Sequence, residues 1–293
     1  MPLLYDHRLT GCVVCAGRLV PFEEKEIKGY DVAYEVCTGC GLVQMNPRPS
    51  PEALTTYYEE EYRSLKGDED GDVTGDAQTR RAHQQAGFVG TPKRHLDVGC
   101  SMGTLLTFVD APVKVGVEPG VQHREMAEAA GIEMYETVAA LIATDPEPFD
   151  LITWSHVVEH LHDPVAGLAE LTPLLAPGGR LMVEVPYLYR SIAYEIDHLS
   201  VFAKPTLELT LRAAGFEPVE WRIHVHRQGG LGNGRNLGVM SIGATPVPPP
   251  SRTVIVPVMQ ARRRLGFAPQ LFYRWRRRQQ RMVARNIRKV TKR

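Results

Sequence analysis

The chain has 293 residues, of which 43% are apolar and 23% charged, with 34 Lys and Arg against 34 Asp and Glu. Those proportions are ordinary for a soluble globular protein. No apolar run approaches the roughly 18 residues that span a bilayer, and no basic-then-apolar leader opens the sequence, so a cytoplasmic protein is expected. The neutral total hides an asymmetry. Residues 261–293 carry 13 Lys and Arg and no Asp or Glu, which leaves 21 basic against 34 acidic residues in the preceding body. A basic tail on an acidic body implies an anionic partner or surface.

Four of the five cysteines form two pairs, Cys12/Cys15 and Cys37/Cys40, in the spacing C-x2-C-x21-C-x2-C. Two such knuckles offer four thiolates for tetrahedral Zn2+. Paired disulfides are the alternative, and a reducing cytosol disfavours them. Four sulfur ligands leave no open position for water, so the expected zinc is structural. A segment of about 40 residues has too small a core to fold alone, and metal binding would supply the missing energy. The prolines of 46–51 end this ribbon, and Ser50-Pro51-Glu52 starts a helix with Pro in its first position. The acidic, glycine-rich stretch 66–76 reads as a connector or loop.

From about residue 85 to 245 strand and helix patterns alternate. Strands are expected at 94–98, 113–118, 132–136, 149–155, 180–186, 217–226 and 235–243. Helices are expected near 102–109, 121–130, 163–175 and 204–214. Asp163-Pro164 is an N-cap followed by Pro, and Pro177-Gly178-Gly179 is expected to stop that helix. Such alternation gives a seven-stranded, mostly parallel α/β sheet with helices on both faces. The link between the last two strands is too short for a helical crossover, so they should pair antiparallel. The stretch 245–251 is a stiff proline linker. In the basic tail, apolar residues recur at roughly helical spacing.

The turn after the first strand of this unit reads Asp97-Val98-Gly99-Cys100-Ser101-Met102-Gly103. It is one residue shorter than the dinucleotide fingerprint, with Ser in the middle, and lacks the Gly-Lys-Ser/Thr of a phosphate loop. It resembles the first motif of class I S-adenosylmethionine-dependent methyltransferases. That resemblance implies a Rossmann-like methyltransferase sheet with its last strand antiparallel. It makes Asp97, Gly99, Ser101, Gly103, Glu118, Pro119, Ser155 and His156 the expected cofactor contacts. Gly99 would let backbone approach the ligand. Asp97 would organise the turn and face the positive methionine end, and Glu118, 21 residues later at the next strand's end, would grip both ribose hydroxyls. The stretches "FDLITWSHVVEHLHDP", "LLAPGGRLMVEVP" and "FAKPTLELTLRAAGFEPVEW" are similar to later motifs of the same family. Together with the N-terminal zinc ribbon and a tyrosine-bearing helix, they look like bacterial methyltransferases of sugar and polysaccharide biosynthesis. Zinc-containing C-methyltransferases of nucleotide-linked deoxysugars are among these, but they usually carry a large further C-terminal domain that is not found in this sequence. An oxygen acceptor is therefore favoured.

Methyl transfer to a hydroxyl needs alignment and a group to take the proton. His160 is the candidate base, and Glu159 would orient a ring or bind a sugar hydroxyl. In the sugar C-methyltransferases the corresponding Glu-His pair is associated with catalysis. The alternative is that Glu159 and His160 only cap the strand and shape the cofactor pocket. The resemblance places His198 near the acceptor; otherwise it is a loop histidine bonded to backbone. Tyr58, Tyr62 and Tyr187 are candidate acceptor contacts, although Tyr58 and Tyr62 could equally pack the ribbon against the core. Cys100 is expected to be a small residue under the turn. His156 to His160 also spell H-x-x-E-H, an inverted zincin signature, but that motif needs a sustained helix and here it follows a strand directly.

The expected organisation is a zinc ribbon at 1–48, a helical connector and acidic loop at 49–84, a cofactor-binding methyltransferase domain at 85–246, and a proline linker with basic tail at 247–293. The expected acceptor is a sugar or glycan, free, nucleotide-linked or lipid-linked. The tail could meet an anionic inner-membrane surface, another subunit or RNA. An RNA methyltransferase is the main rival, and the acidic body suits a phosphate backbone poorly. A non-catalytic binding module is the third reading, against which the intact Gly99, Gly103 and Glu118 argue.

Overall fold

In the computed structural model, residues 5–27, 29–57, 78–188, 193–228 and 232–243 are described here. Tyr58, Tyr62, the acidic loop, the proline linker and the basic tail lie outside them.

The N-terminal part is a small antiparallel sheet, β1 (Leu19–Ile27), β2 (Tyr30–Cys37) and β3 (Val43–Met45). Helix α1 (Pro51–Thr56) follows, and the Ser50 side chain accepts from Ala53 N–H as an N-cap should. Helix α2 (Gln78–Val89) leads into the main domain.

The main domain runs β4 (Arg94–Val98), α3 (Thr104–Phe108), β5 (Val113–Val117), α4 (Val121–Ala129), β6 (Glu133–Tyr135), α5 (Val138–Ile142), β7 (Phe149–Ser155), α6 (Pro164–Ala169), β8 (Leu175–Pro186), β9 (Ser200–Val201), α7 (Lys204–Ala213), β10 (Phe216–Gln228) and β11 (Gly232–Gly243). Seven strands form one sheet in the order β10-β11-β8-β7-β4-β5-β6. Pairing is parallel from β8 through β6, and β11 lies antiparallel between β8 and β10. The sequence therefore places all seven strands correctly, including the closing antiparallel hairpin. Leu151, Ile152, Leu181, Met182, Val183 and Val185 are fully buried, because central parallel strands are covered on both faces.

The strand order reverses at β4, with β5 on one side and β7 on the other. At such a switch point the loops leaving the strand ends diverge and open a crevice at the carboxyl edge. The functional side chains collect there.

Two expectations need correction. Helix α6 ends at Ala169, a 3-10 turn at Thr172–Leu174 follows, and Pro177-Gly178-Gly179 lies inside β8. Gly178 has φ 76°, and the β7–β8 register shifts between Phe149 and Leu151, so the Pro-Gly-Gly run is an irregular strand start and not a helix stop. The ribbon is also less separate than its spacing suggests. Strand β3 pairs with β9, which belongs to the segment after β8, through Val43–Val201 and Gln44–Ser200. One apolar cluster joins Val32, Tyr34, Val43 and Met45 to Leu188, Ile196, Leu199 and Val201. The Arg48 guanidinium donates to His162 O, and His162 Nε2 bonds Pro49 O.

Phe202 is fully buried where the ribbon's cysteines and the main sheet share a core, and its carbonyl accepts from Leu188 N–H. Phe202→Ala should cost about 3–5 kcal/mol. Because the core is shared, calorimetry should show ribbon and domain melting together in wild type and variant alike.

Candidate active site

The turn between β4 and α3 is built on backbone conformations that side chains resist. Gly99, Ser101 and Gly103 all have positive φ, at 72°, 50° and 73°. A Cβ on Gly99 would fall 2.6 Å from Val157 Cγ2, and one on Gly103 would fall 2.3 Å from Ile132 Cδ1. The N–H groups of Gly99 and Cys100 both donate to Val117 O, at 2.7 and 3.2 Å, which ties the turn to the end of β5. Cys100 is buried under the turn.

Glu118 closes this tie. Its carboxylate accepts from Ser101 N–H at 3.0 Å and from Gly120 N–H at 2.8 Å. Arg124 donates to the carbonyls of Glu118 and Pro119. The acid at the β5 end therefore braces the glycine turn, a role the sequence did not reveal. Each carboxylate oxygen keeps acceptor capacity beyond its one backbone bond.

A cleft beside the turn is lined by Gln78, Arg81, Gln85, Asp97, Ser101 and Ser155, among others. Asp97 is 4% exposed and accepts from the Thr153 hydroxyl at 2.6 Å, and Thr153 in turn meets His95 Nε2 at 2.8 Å. Burial pushes the Asp97 carboxyl up to about 7, against the opposing pull of the Thr153 bond and of Arg81. Four of the lining residues, Gln78, Arg81, Ala82 and Gln85, come from α2, and Gln85 donates to Ser155 Oγ at 2.9 Å. Sequence reasoning missed α2. Its buried positions include Ala82 and Gln85 beside Phe88 and Val89, a face with weak apolar periodicity.

His156, directly after β7, has φ 58°. Its N–H donates to Glu184 O, and its Nε2 accepts from Asn236 Nδ2, which also donates to Glu184 Oε1 at 2.8 Å. Its Nδ1 lies 3.4 Å from Glu159 Oε1. Burial opposes protonation of this ring, but the contacts to Glu159 and Glu184 outweigh it and raise its pKa. His156 is thus a buried junction between the ends of β7, β8 and β11, and Glu184 and Asn236 are site residues the sequence did not flag. The 3-10 turn at Val158–His160 is too short for an H-x-x-E-H helix, in keeping with the rejection of the zincin reading.

The structure brings Glu159, His160 and His198 together. The two imidazole rings are 4.8 Å apart and edge-on. His160 Nδ1 bonds Asp197 O at 3.1 Å, and its Nε2 is 3.9 Å from Glu159 Oε1. His198 Nδ1 bonds Ala193 O, and burial, with His160 alongside, pushes its pKa down to about 4. Tyr187, half-buried, is bridged to Phe202 and packs against both apolar clusters.

The four ribbon cysteines also converge. Sγ atoms of Cys12 and Cys40, and of Cys15 and Cys37, are 3.5 Å apart, and all four lie within 4.8 Å of one another. Four sulfurs at about 2.3 Å from a tetrahedral Zn2+ sit roughly 3.8 Å apart, so the donor set fits that ion. Backbone N–H groups of Val14, Gly39 and Cys40 point at these sulfurs. A Cβ on Gly17 would come 2.8 Å from Cys37 Sγ, so glycine there makes room for the cluster.

The buried Asp97 gives a pH test. Its pKa in the folded chain lies above its ordinary value of 3.8. Its contribution to stability is complete below about 4 and is lost as pH rises through about 7. Urea midpoints of the cofactor-free protein should fall more steeply between pH 5 and 8 in wild type than in Asp97→Asn.

Comparison with known proteins agrees with this geometry. Residues 76–220, about half the chain, match the family model described as a methyltransferase domain. A Xylella fastidiosa protein named ubiquinone biosynthesis O-methyltransferase is 36% identical over 31% of this chain and 40% of its own length. An uncharacterized methyltransferase of Schizosaccharomyces pombe is 31% identical over 46% of this chain and 57% of its own. The chain thus spans less than two thirds of these relatives. The crystal structure of Burkholderia thailandensis 1,6-didemethyltoxoflavin-N1-methyltransferase, with bound S-adenosylhomocysteine, superposes with a TM-score of 0.53 at 20% identity, covering 76% of this chain and all of that one. The chain carries a class I, S-adenosylmethionine-dependent methyltransferase domain across residues 76–220.

Proposed function

We propose that this protein transfers the methyl group of S-adenosylmethionine to a hydroxyl of a sugar, nucleotide-sugar or polysaccharide, and that its cysteine cluster holds a structural zinc ion. One observation carries the oxygen acceptor. The carboxyl edge holds a cleft beside the β4 turn, and the segment from Ser155, which lines that cleft, runs directly to the Glu159–His160–His198 cluster. The relatives named as O-methyltransferases support oxygen as the acceptor atom.

The cofactor supplies a methyl group already activated on a positive sulfur. The residues present fit it. Gly99 leaves room for a ligand to approach the backbone, Asp97 offers negative charge, and Glu118 retains acceptor sites for ribose hydroxyls. Arg81 stands where a carboxylate can pair with it, since its charge is felt by both Asp97 and His156. His160 takes the proton of the acceptor hydroxyl on Nε2, the Asp197 carbonyl holds its ring through Nδ1, and Glu159, 3.9 Å from Nε2, favours the imidazolium that forms. A positioned base of this kind contributes about 10²–10⁴-fold.

Among the described residues no helix is long and apolar enough to cross a membrane.

Transfer from methyl-labelled cofactor, run across nucleotide sugars, glycans and RNA, tests the acceptor. Label in an ether on a sugar is expected; label in RNA, or on a carbon, would overturn the assignment. By calorimetry, Arg81→Ala and Glu118→Ala should each weaken cofactor binding by about tenfold or more, the loss of one charge-assisted contact. His160→Ala should leave that affinity within about twofold while turnover falls by about a hundredfold. Metal analysis should find one zinc per chain, lost in Cys37→Ser.

A further inference from the structure

Glu159 is only 1% exposed, and neither of its carboxylate oxygens makes a well-formed hydrogen bond: the nearest donor, His156 Nδ1, stands 3.4 Å from Oε1, and Oε2 has none. Burying a carboxylate without bonds to both oxygens is costly, and native structures seldom tolerate it without an ion, a water or a charge in reach. What surrounds Glu159 is nitrogen. His156 Nδ1 is 3.4 Å away and His160 Nε2 is 3.9 Å away. His198 brings one ring nitrogen into the same space, so that Glu159, His160 and His198 each offer a ligand atom within 4.8 Å of the other two.

The histidines are held in the form that ligates. A backbone carbonyl can only accept, so the ring nitrogen facing it carries the hydrogen. His160 Nδ1 faces Asp197 O and His198 Nδ1 faces Ala193 O, which assigns the lone pair of each neutral ring to Nε2. Histidine ligands to metals are commonly fixed in this way by a bond from their second nitrogen to a carbonyl. His156 directs its Nδ1 at Glu159 and uses Nε2 for Asn236, so it orients the carboxylate and stays outside the ligand set. Nitrogen and oxygen ligands at about 2.1 Å from a first-row cation lie roughly 3.0–3.5 Å apart. The 3.9 Å gap from His160 to Glu159, within a cluster spread of up to 4.8 Å, is wider than that and would contract as an ion binds.

We propose that Glu159, His160 and His198 bind one divalent first-row cation, such as Mn2+, Co2+ or Zn2+, whose open positions take the oxygen of the acceptor hydroxyl. Two imidazoles and one carboxylate suit divalent first-row ions and leave positions free for an exogenous oxygen. This rests on the hydroxyl-transfer reading and replaces His160 as the group that activates the hydroxyl. The cation, in place of the His160 imidazole, makes the hydroxyl acidic, and the proton leaves to solvent water. The oxygen lone pair then forms the new carbon–oxygen bond as the carbon–sulfur bond breaks, its electron pair staying on sulfur. Thiolates disfavour Mn2+, so this ion separates the site from the cysteine cluster.

The test is titration of the full-length, zinc-loaded chain with Mn2+, followed by electron paramagnetic resonance. About one Mn2+ should bind per chain. His160→Gln, a half-buried position, and Glu159→Gln should each weaken it at least tenfold while still binding S-adenosylhomocysteine by calorimetry, which shows that they fold. No bound Mn2+ in wild type, or equal affinity in folded His160→Gln, would overturn the site. Chelation should abolish hydroxyl methylation, and Mn2+ should restore it. Undiminished transfer in chelated protein would overturn the cation and leave His160 as the base. One Mn2+ bound with no hydroxyl methylated would uphold the cation site and overturn the hydroxyl reading beneath it.

Discussion

Two backbone N–H groups, those of Gly99 and Cys100, share one carbonyl, that of Val117, and the crevice depends on that shared bond. It is possible only because Gly99 turns left-handed directly after β4, and because β4 and β5 run parallel in register, with Val98 opposite Val117. Once the bend is set, Ser101 N–H reaches the Glu118 carboxylate and Gly103 opens α3. Ser101 accepts a left-handed conformation that costs a non-glycine residue about 1–2 kcal/mol. Strain of that kind persists where surrounding bonds over-determine it, and here they do.

The same logic recurs one strand over. His156 is also left-handed after β7, and it too is held by a carbonyl on the neighbouring strand, that of Glu184. The two bends flank the crevice, one bearing the cofactor turn and the other the Glu159–His160 segment. Their support differs in chemistry. The first is backbone and one braced carboxylate, whereas the second is a buried polar network of His156, Glu159, Glu184 and Asn236, in which satisfied and unsatisfied groups sit side by side.

Much of this was legible in the sequence because the signals were local. Strand periodicity located all seven strands, and Asp163-Pro164 and Ser50-Pro51 marked helix starts through short-range capping bonds. Gly99, Gly103, Glu118 and the cysteine spacing needed only a few neighbouring residues to be recognised. What stayed hidden depends on contacts distant in sequence. Asn236 is 80 residues from His156 and meets it only because β11 inserts beside β8. His160 and His198 were each visible as candidates, but their 4.8 Å approach could not be read from either motif. Helix α2 was missed for a different reason, since alanine and glutamine on its inner face leave little apolar pattern while serving a polar cleft. The Pro-Gly-Gly run misled because its turn chemistry is the same at a helix end and at an irregular strand start.

The pairing of β3 with β9 ties the ribbon to the loop that carries His198. Met45 N–H donates to Leu199 O, one residue beyond that histidine. The cysteine-bearing ribbon and the loop that carries His198 are thus laid on a common strut, so a change in one is transmitted to the other through main chain without passing through the crevice beside the glycine turn. The two would have to diversify in concert: exchanging the ribbon for that of a related chain would shift the backbone that positions His198, even with every residue around the glycine turn left as it was.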